Sequence, residues 1–170
     1  MLRTHTCGSL DAKHIGQRVT LSGWVHTRRD HGNLIFIDLR DRWGVAQLVF
    51  NPDMNPASHA KAEKLRSEYV IQVQGEVHRR PAGTENPKIS TGEVEVKVEG
   101  LEIFNESPTP PFEIAQEGDV SEEVRLKYRF LDLRRPEMQE SLLFRDRLIQ
   151  TARDYFHSLD FIEVETPCLT

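Results

Sequence analysis

From Glu93 to Val98 the sequence alternates without a break: Val94, Val96 and Val98 fall on one side of an extended chain, and Glu93, Glu95 and Lys97 on the other. Successive side chains of a strand point to opposite faces, so this period of two predicts a half-buried β-strand over Gly92 to Gly100 and argues against an amphipathic helix. The run Leu34 to Asp41 repeats the pattern, with Ile35, Ile37 and Leu39 directed inward. Phe36 must then share the outer face with Asp38 and Arg40. A large ring among charges on a solvated face is a stacking platform for an unpaired base. Single exposed apolar residues are also common, so Phe36 alone does not decide the matter.

Three more strands are predicted around these two. They run from Arg18 to Asp30 (Val19, Leu21, Gly23 and Val25 on one face), from Val45 to Phe50, and from Tyr69 to Val77. His31-Gly32-Asn33 is a short turn, because glycine and asparagine tolerate positive φ. Pro56 to Ser67 is rich in helix formers and has its proline where a helix start accepts one. The order β-β-β-α-β-β within about 100 residues predicts a mainly β fold, a five-stranded OB-fold Greek-key barrel. Barrels of that type bind ligands on strands 2 and 3 and on the loops after strands 1 and 4. Phe36 lies on strand 2, Gln47 on strand 3, and the two loops are Asp30 to Asn33 and Arg79 to Thr91. A β-sandwich, or a barrel without a ligand, is the competing reading, since fold does not fix function.

The barrel is expected over residues 1–105, a linker and helical hinge over 106–135, and the start of a further domain over 136–170. Ser107-Pro108-Thr109-Pro110-Pro111 cannot continue a helix or a central strand. Asp119 is a candidate helix cap, with Glu122 three residues on. Val124, Tyr128 and Leu131 share one side of the helix that follows. Pro136 opens a longer helix in which Met138, Leu142, Ile149, Ala152 and Phe156 form an apolar seam interrupted by Arg145. Such a seam packs on a partner element or subunit. Phe161 to Thr166 is predicted as a short strand stopped by Pro167. So much apolar surface with so little chain to cover it reads as the opening of a truncated α+β domain.

Composition narrows the class. With 38% hydrophobic and 29% charged residues among 170, the chain reads as a soluble globular protein. No apolar run approaches the ~20 residues that span a bilayer, and no signal-peptide core follows Met1, so no membrane role and a cytosolic location are expected. Cys7 and Cys168, at opposite ends, make neither a disulfide framework nor a metal site. Residues 1–105 hold 14 Lys/Arg against 13 Asp/Glu, and residues 106–170 hold 8 against 14. The acidic second part is no obvious nucleic-acid surface; the first holds the pairs Arg28-Arg29 and Arg79-Arg80. Local clusters of this kind matter more than net charge where phosphates are tracked. No glycine-rich phosphate loop, Cys/His cluster or nucleophile motif is present, so no catalytic set and no metal ligands are expected within this stretch.

Four segments together resemble the bacterial aspartyl-tRNA synthetases, a class II family: GWVHTRRDHGNLIFIDLRDRWGVAQLVF, STGEVEVKVEGLEI, EEVRLKYRFLDLRRPEMQ and FIEVETPCLT. The resemblance implies an anticodon-binding barrel, a hinge and a catalytic domain that uses ATP and Mg2+ to activate aspartate and charge tRNA-Asp. The motifs for that chemistry would lie beyond residue 170, so this stretch alone should be inactive and bind neither cofactor. It implies that Phe36 stacks on the central uracil, that Gln47 hydrogen-bonds that base, that Glu95 accepts from the first guanine, and that Arg29, assisted by Arg28, reads the third base. His31 and Gly83 stand where tolerance of tRNA-Asn has been linked to the loops. Phe161 and Pro167 would belong to motif 1, which builds the family's homodimer. No DNA partner is implied. A lysyl- or asparaginyl-type relative and a stand-alone single-stranded nucleic-acid-binding module are the alternatives.

Overall fold

A computed structural model describes residues 2–114 and 120–167. It divides into two compact units, Met1–Pro110 and Pro111–Thr170. The first holds β1 (Arg18–His31), β2 (Leu34–Arg40), β3 (Val45–Phe50), α1 (Pro56–Ala62), β4 (Val70–Arg79) and β5 (Val94–Asn105). The strands close into a barrel in the order β1-β2-β3-β5-β4. Every pairing is antiparallel except β3 with β5, where Leu48 faces Val96 and Val49 faces Lys97. The expected five-stranded barrel is thus formed.

The inward set is the alternating one. Leu21, Val25, Ile37, Leu39, Leu48, Ile71, Val73, Val77, Val94 and Val96 are all buried in one cluster. Burying a side chain of this size fully stabilises by about 1.5–3 kcal/mol relative to leaving it exposed. β1 does not keep a single phase. A bulge between Val25 and Thr27 shifts its register on β2, so Thr27 pairs with Asp38, Arg28 with Ile37 and Arg29 with Phe36. An extra residue in one strand reverses the faces of everything after it. Without the bulge, Arg29 would continue the inward series of Val19, Leu21 and Val25; with it, Arg29 stands on the outer face beside Phe36.

α1 is shorter than the predicted Pro56–Ser67. The Asn55 side chain caps it by accepting from the Ser58 N–H at 2.8 Å, and it ends at Ala62. Glu68 then takes a φ of +66°, which no helix can continue through, and its N–H bonds the Val25 carbonyl at 2.8 Å. β5 runs five residues past the predicted end at Gly100, because β4 pairs with it as far as Asn105.

In the second unit, α2 (Glu122–Lys127) and α3 (Arg129–Asp132) meet at Tyr128. Phe112, Ile114 and Leu131 form a small cluster with Val120, Val124 and Tyr128 packed against it. Asp132 is fully buried and ion-paired with Arg125 at 2.9 Å, with Arg129, and with Arg135 at 3.7 Å. The proposed cap Asp119 lies outside the described residues; Ser121 precedes α2 as its N-cap. α4 (Pro136–Ser158) begins on its proline as expected, and none of its residues is buried. The predicted strand over 161–166 is not formed: residues 161–167 carry no regular structure. A strand leaves its backbone groups unpaired without a neighbour, and the described residues of this unit contain no other strand. Phe161 packs edge-on against Phe156, centroids 5.7 Å apart, and Pro167 is exposed. Among the described residues, no helix is long and apolar enough to cross a membrane.

Candidate nucleic-acid interface

The outer faces of β2, β3 and β5 line an open cavity of about 620 Å³. Arg29, His31, Phe36, Gln47 and Glu95 all border it, together with Arg80, Thr84, Asn86 and Lys97. Strand register accounts for the grouping. Phe36 lies opposite Val49, and Asp38 opposite Gln47, so ring and amide sit on adjacent strands and on one face. Val49 faces outward and is still 6% exposed, which makes it the apolar floor beside the half-buried Phe36.

Each polar group around this floor is anchored. Arg29 donates to both oxygens of Asp38, at 2.8 and 3.0 Å, while the Thr27 hydroxyl donates to the same carboxylate at 2.6 Å. Half of the Arg29 side chain remains exposed. The His31 and Phe36 rings meet in a T-shaped contact with centroids 5.8 Å apart, a favoured arrangement of two aromatic rings, and Phe36 remains partly exposed at the cavity. Gln47 Nε2 reaches Glu95 Oε2 at 3.5 Å.

Glu95 differs from the expectation of a solvated strand carboxylate. It does point away from the barrel core, but only 7% of it is exposed. The chain after β4 folds back over this end of the barrel: Asn86 N–H bonds the Gly92 carbonyl at 3.1 Å, and the Thr91 hydroxyl donates to the Val45 carbonyl. Burial pushes the Glu95 carboxyl above its ordinary range, against the pull of Arg80 and Lys97.

Arg80 was not singled out by sequence reasoning beyond its membership of a basic pair. Its Nε donates to the Val94 carbonyl at 3.0 Å, and the residue is 5% exposed. Its Nη2 is buried with no hydrogen-bond partner among the described residues. Burial lowers its pKa, while Asp38 and Glu95 raise it. A buried guanidinium nitrogen without an acceptor is costly, so an acceptor from outside the chain would satisfy it. The sequence signal was the Arg-Arg pair at the end of a strand; the pairing of His78 with Glu95 and of Arg79 with Val94 puts Arg80 in phase with the Glu95 face.

Two expected residues lie elsewhere. Arg28, on the opposite face after the bulge, pairs with Asp30 at 2.9 Å and borders a separate depression with Lys64, Arg66 and Tyr69. Arg28, expected to assist Arg29, thus does not line this cavity. Gly83 lies in the loop that contributes Pro81 and Thr84 to the cavity; its φ of +85° suits glycine, and a Cβ there would meet nothing within 4 Å. Phe161 and Pro167 belong to the second unit. Among the described residues, no group of three or more His, Cys, Asp or Glu could hold a metal ion.

An aromatic, an amide, a carboxylate and two guanidiniums stand around one apolar floor on the face of a closed five-stranded barrel by which OB-folds bind their ligands. The chain belongs to the OB-fold nucleic acid binding domain family, whose model matches residues 19–104. Residues 121–170 match the family described as tRNA synthetases class II (D, K and N). The chain is 56% identical to the aspartate–tRNA(Asp/Asn) ligase of Rubrobacter xylanophilus over 99% of its own length and 28% of that protein. It is 55% identical to that of Desulfosudis oleivorans over 100% and 28%. The chain therefore spans little more than a quarter of these relatives, as their N-terminal part. Among solved structures, it is similar to the asparaginyl-tRNA synthetase of Pyrococcus horikoshii, with a TM-score of 0.84 and 30% identity over 98% of this chain and 38% of that one. The aspartyl-tRNA synthetase of Entamoeba histolytica shares the fold, with a TM-score of 0.84 at 20% identity over 98% and 39%.

Proposed function

We propose that the cavity receives the splayed anticodon of a transfer RNA, and that the chain is the anticodon-reading N-terminal part of an aspartate–tRNA ligase. The observation that carries this reading is the convergence of Phe36, Gln47, Glu95 and Arg29 on one cavity. In this reading the free face of Phe36 stacks under the central uracil. Gln47 offers that base both a donor and an acceptor. The Glu95 carboxylate accepts the N–H donors on the edge of the first guanine, a recognition open to unstacked bases. Arg29, held by Asp38, meets the third base or its phosphate. Arg28, on the other face of β1, would assist only from outside the cavity.

The domain limits we assign are 1–105 for the anticodon barrel, 106–135 for the hinge and 136–170 for the start of the class II domain, with Phe161 and Pro167 in a homodimer contact of the whole enzyme. Aspartate activation with ATP and Mg2+, followed by transfer to tRNA-Asp in the cytoplasm, belongs to the larger part of such a ligase that this chain does not span. Charging of tRNA-Asn as well is supported by His31 at the cavity, by Gly83 in the adjoining loop, and by relatives whose names carry both tRNAs.

The direct test is fluorescence anisotropy with an aspartate anticodon stem-loop. One base–aromatic stack contributes ~1–3 kcal/mol, so Phe36→Ala should weaken binding roughly 5- to 150-fold. Undiminished binding by that variant would overturn the reading. The dual specificity has its own test, aspartylation of both tRNAs by the full-length enzyme; no charging of tRNA-Asn would remove it alone.

A further inference from the structure

The turn joining β2 to β3, at the end of that strand pair away from His31, presents Trp43 to solvent. Its side chain is 54% exposed. The Arg3 guanidinium sits over the ring at 4.5 Å from the centroid, and that of Arg42 lies 5.9 Å away. Arg42 has no ion-pair partner among the described residues. An exposed indole contributes little to folding, yet the turn that carries it is held from several sides. The nearly buried Asp41 accepts from the N–H groups of Trp43 at 2.8 Å, Gly44 at 3.1 Å and Cys7 at 2.8 Å, and from Arg3 Nη1 at 3.4 Å. The N-terminal turn is pressed so closely onto this corner that a Cβ on Gly8 would lie 2.0 Å from the Trp43 carbonyl oxygen. The ring is therefore presented in a fixed place, with the Arg3 guanidinium close over it and that of Arg42 farther off, without an ion-pair partner among the described residues.

We propose that Trp43, with Arg42 and Arg3, is a second stacking site for transfer RNA, taking an unpaired nucleotide outside the anticodon triplet. This rests on the anticodon reading of the neighbouring cavity. A rigid aromatic face with an unpaired cation beside it matches a base with its adjoining phosphate. Seven residues separate Phe36 from Trp43, at most about 24 Å of extended chain. OB-folds engage roughly 4–16 nucleotides, so one RNA segment can reach both.

The test compares the wild-type chain with Trp43→Ala, Arg42→Ala and Phe36→Ala against a full-length tRNA-Asp transcript. All three side chains are at least partly exposed, and circular dichroism verifies each fold. Trp43→Ala should weaken binding by roughly 5-fold or more while leaving the preference between aspartate and unrelated anticodons unchanged. Arg42→Ala should weaken binding uniformly and reduce the salt slope by about one. Quenching of indole fluorescence by the transcript should diminish in Trp43→Phe. If Phe36→Ala weakens binding but Trp43→Ala and Trp43→Phe behave as wild type, the second site is refuted and the anticodon site stands. If Trp43→Ala changes only the association of the chain with protein, the surface is a protein contact and the proposal fails. If neither Phe36→Ala nor Trp43→Ala alters binding, both readings fall.

Discussion

Replacing Glu95 by glutamine should move stability and binding in opposite directions. Burial raises the carboxyl's pKa in the folded chain even though Arg80 and Lys97 oppose the shift. The net direction already includes those partners, so the ionised form is disfavoured by folding. The folded state then binds more protons than the unfolded state between the ordinary carboxylate value of 4.5 and the raised one, and stability is lost as pH rises through that window. Above that window the whole penalty is present. Glu95→Gln keeps the shape and removes the charge, so its thermal midpoint at pH 7 should exceed that of the wild type. A gain of 1 kcal/mol corresponds to about 4–8 °C for a barrel of this size. The difference should shrink toward zero near pH 4. Binding should respond the other way, since an amide can accept only one of the guanine's donors and brings no charge. Losing one hydrogen bond to a charged group costs ~1.5–3 kcal/mol, a roughly 10- to 150-fold weaker complex with the aspartate stem-loop. Denaturation series from pH 4 to 8 and anisotropy at pH 7 read the two effects separately. A variant that is less stable at pH 7, or a stability difference that does not change with pH, would refute the argument.

Arg80→Met should cost binding more than folding. The exchange keeps an apolar stem, removes a nitrogen that is buried without a partner among the described residues, and deletes a donor available to the ligand, but it also gives up the Nε bond to the Val94 carbonyl; about a tenfold loss of stem-loop affinity with only a modest drop in thermal midpoint is the expected outcome, because removing the unpartnered nitrogen offsets part of the lost bond. His26 gives an acid-side signature. Burial, and then the neighbouring Arg40, hold its pKa below the ordinary 6.5, so it is neutral when folded while the unfolded chain takes up a proton. Stability is therefore lost as pH falls through about 6.5, and a denaturation series between pH 5 and 7.5 should show a flatter profile for His26→Gln.

The core was legible because it rests on a period of two that nothing local disturbs. Val94, Val96 and Val98, or Ile35, Ile37 and Leu39, need only a sheet to be buried, and β2 and β5 lie where their alternation puts them. The sheet order followed from the order of elements. What escaped was whatever depends on one residue of phase or on a loop folding back. The bulge at His26 has no composition of its own, yet it exchanges the faces of Arg28 and Arg29. The loop after β4 reads as polar and open; only its bonds from Asn86 and Thr91 reveal that it folds back, so that Pro81, Thr84 and Asn86 line the same cavity as Glu95 and Arg80. The strand expected over 161–166 failed for a related reason, since alternation states a preference for extended chain and cannot supply the neighbour that a strand requires.

The cavity is also where the barrel departs from the economy of the rest of the fold. Asp41 is nearly buried, but it accepts from three backbone N–H groups and Arg3, so its charge is fully engaged. Glu68 is nearly buried, but Arg40 meets it at 2.9 Å. Among the described residues, Glu95 has only a long contact from Gln47 at 3.5 Å, and Arg80 keeps one buried nitrogen without a partner. A carboxylate with spare acceptor capacity and a guanidinium with a spare donor, lining one cavity, are disfavoured in the free chain. They become favourable when a ligand brings donors to the first and an acceptor to the second. A nucleobase edge carries both within one plane, whereas a phosphate alone would satisfy Arg80 and be repelled by Glu95. Affinity for inorganic phosphate should therefore be undetectable at concentrations where a guanine-bearing stem-loop saturates the chain. Phosphate that displaced the stem-loop beyond its effect as a salt would show that this face reads charge and not bases.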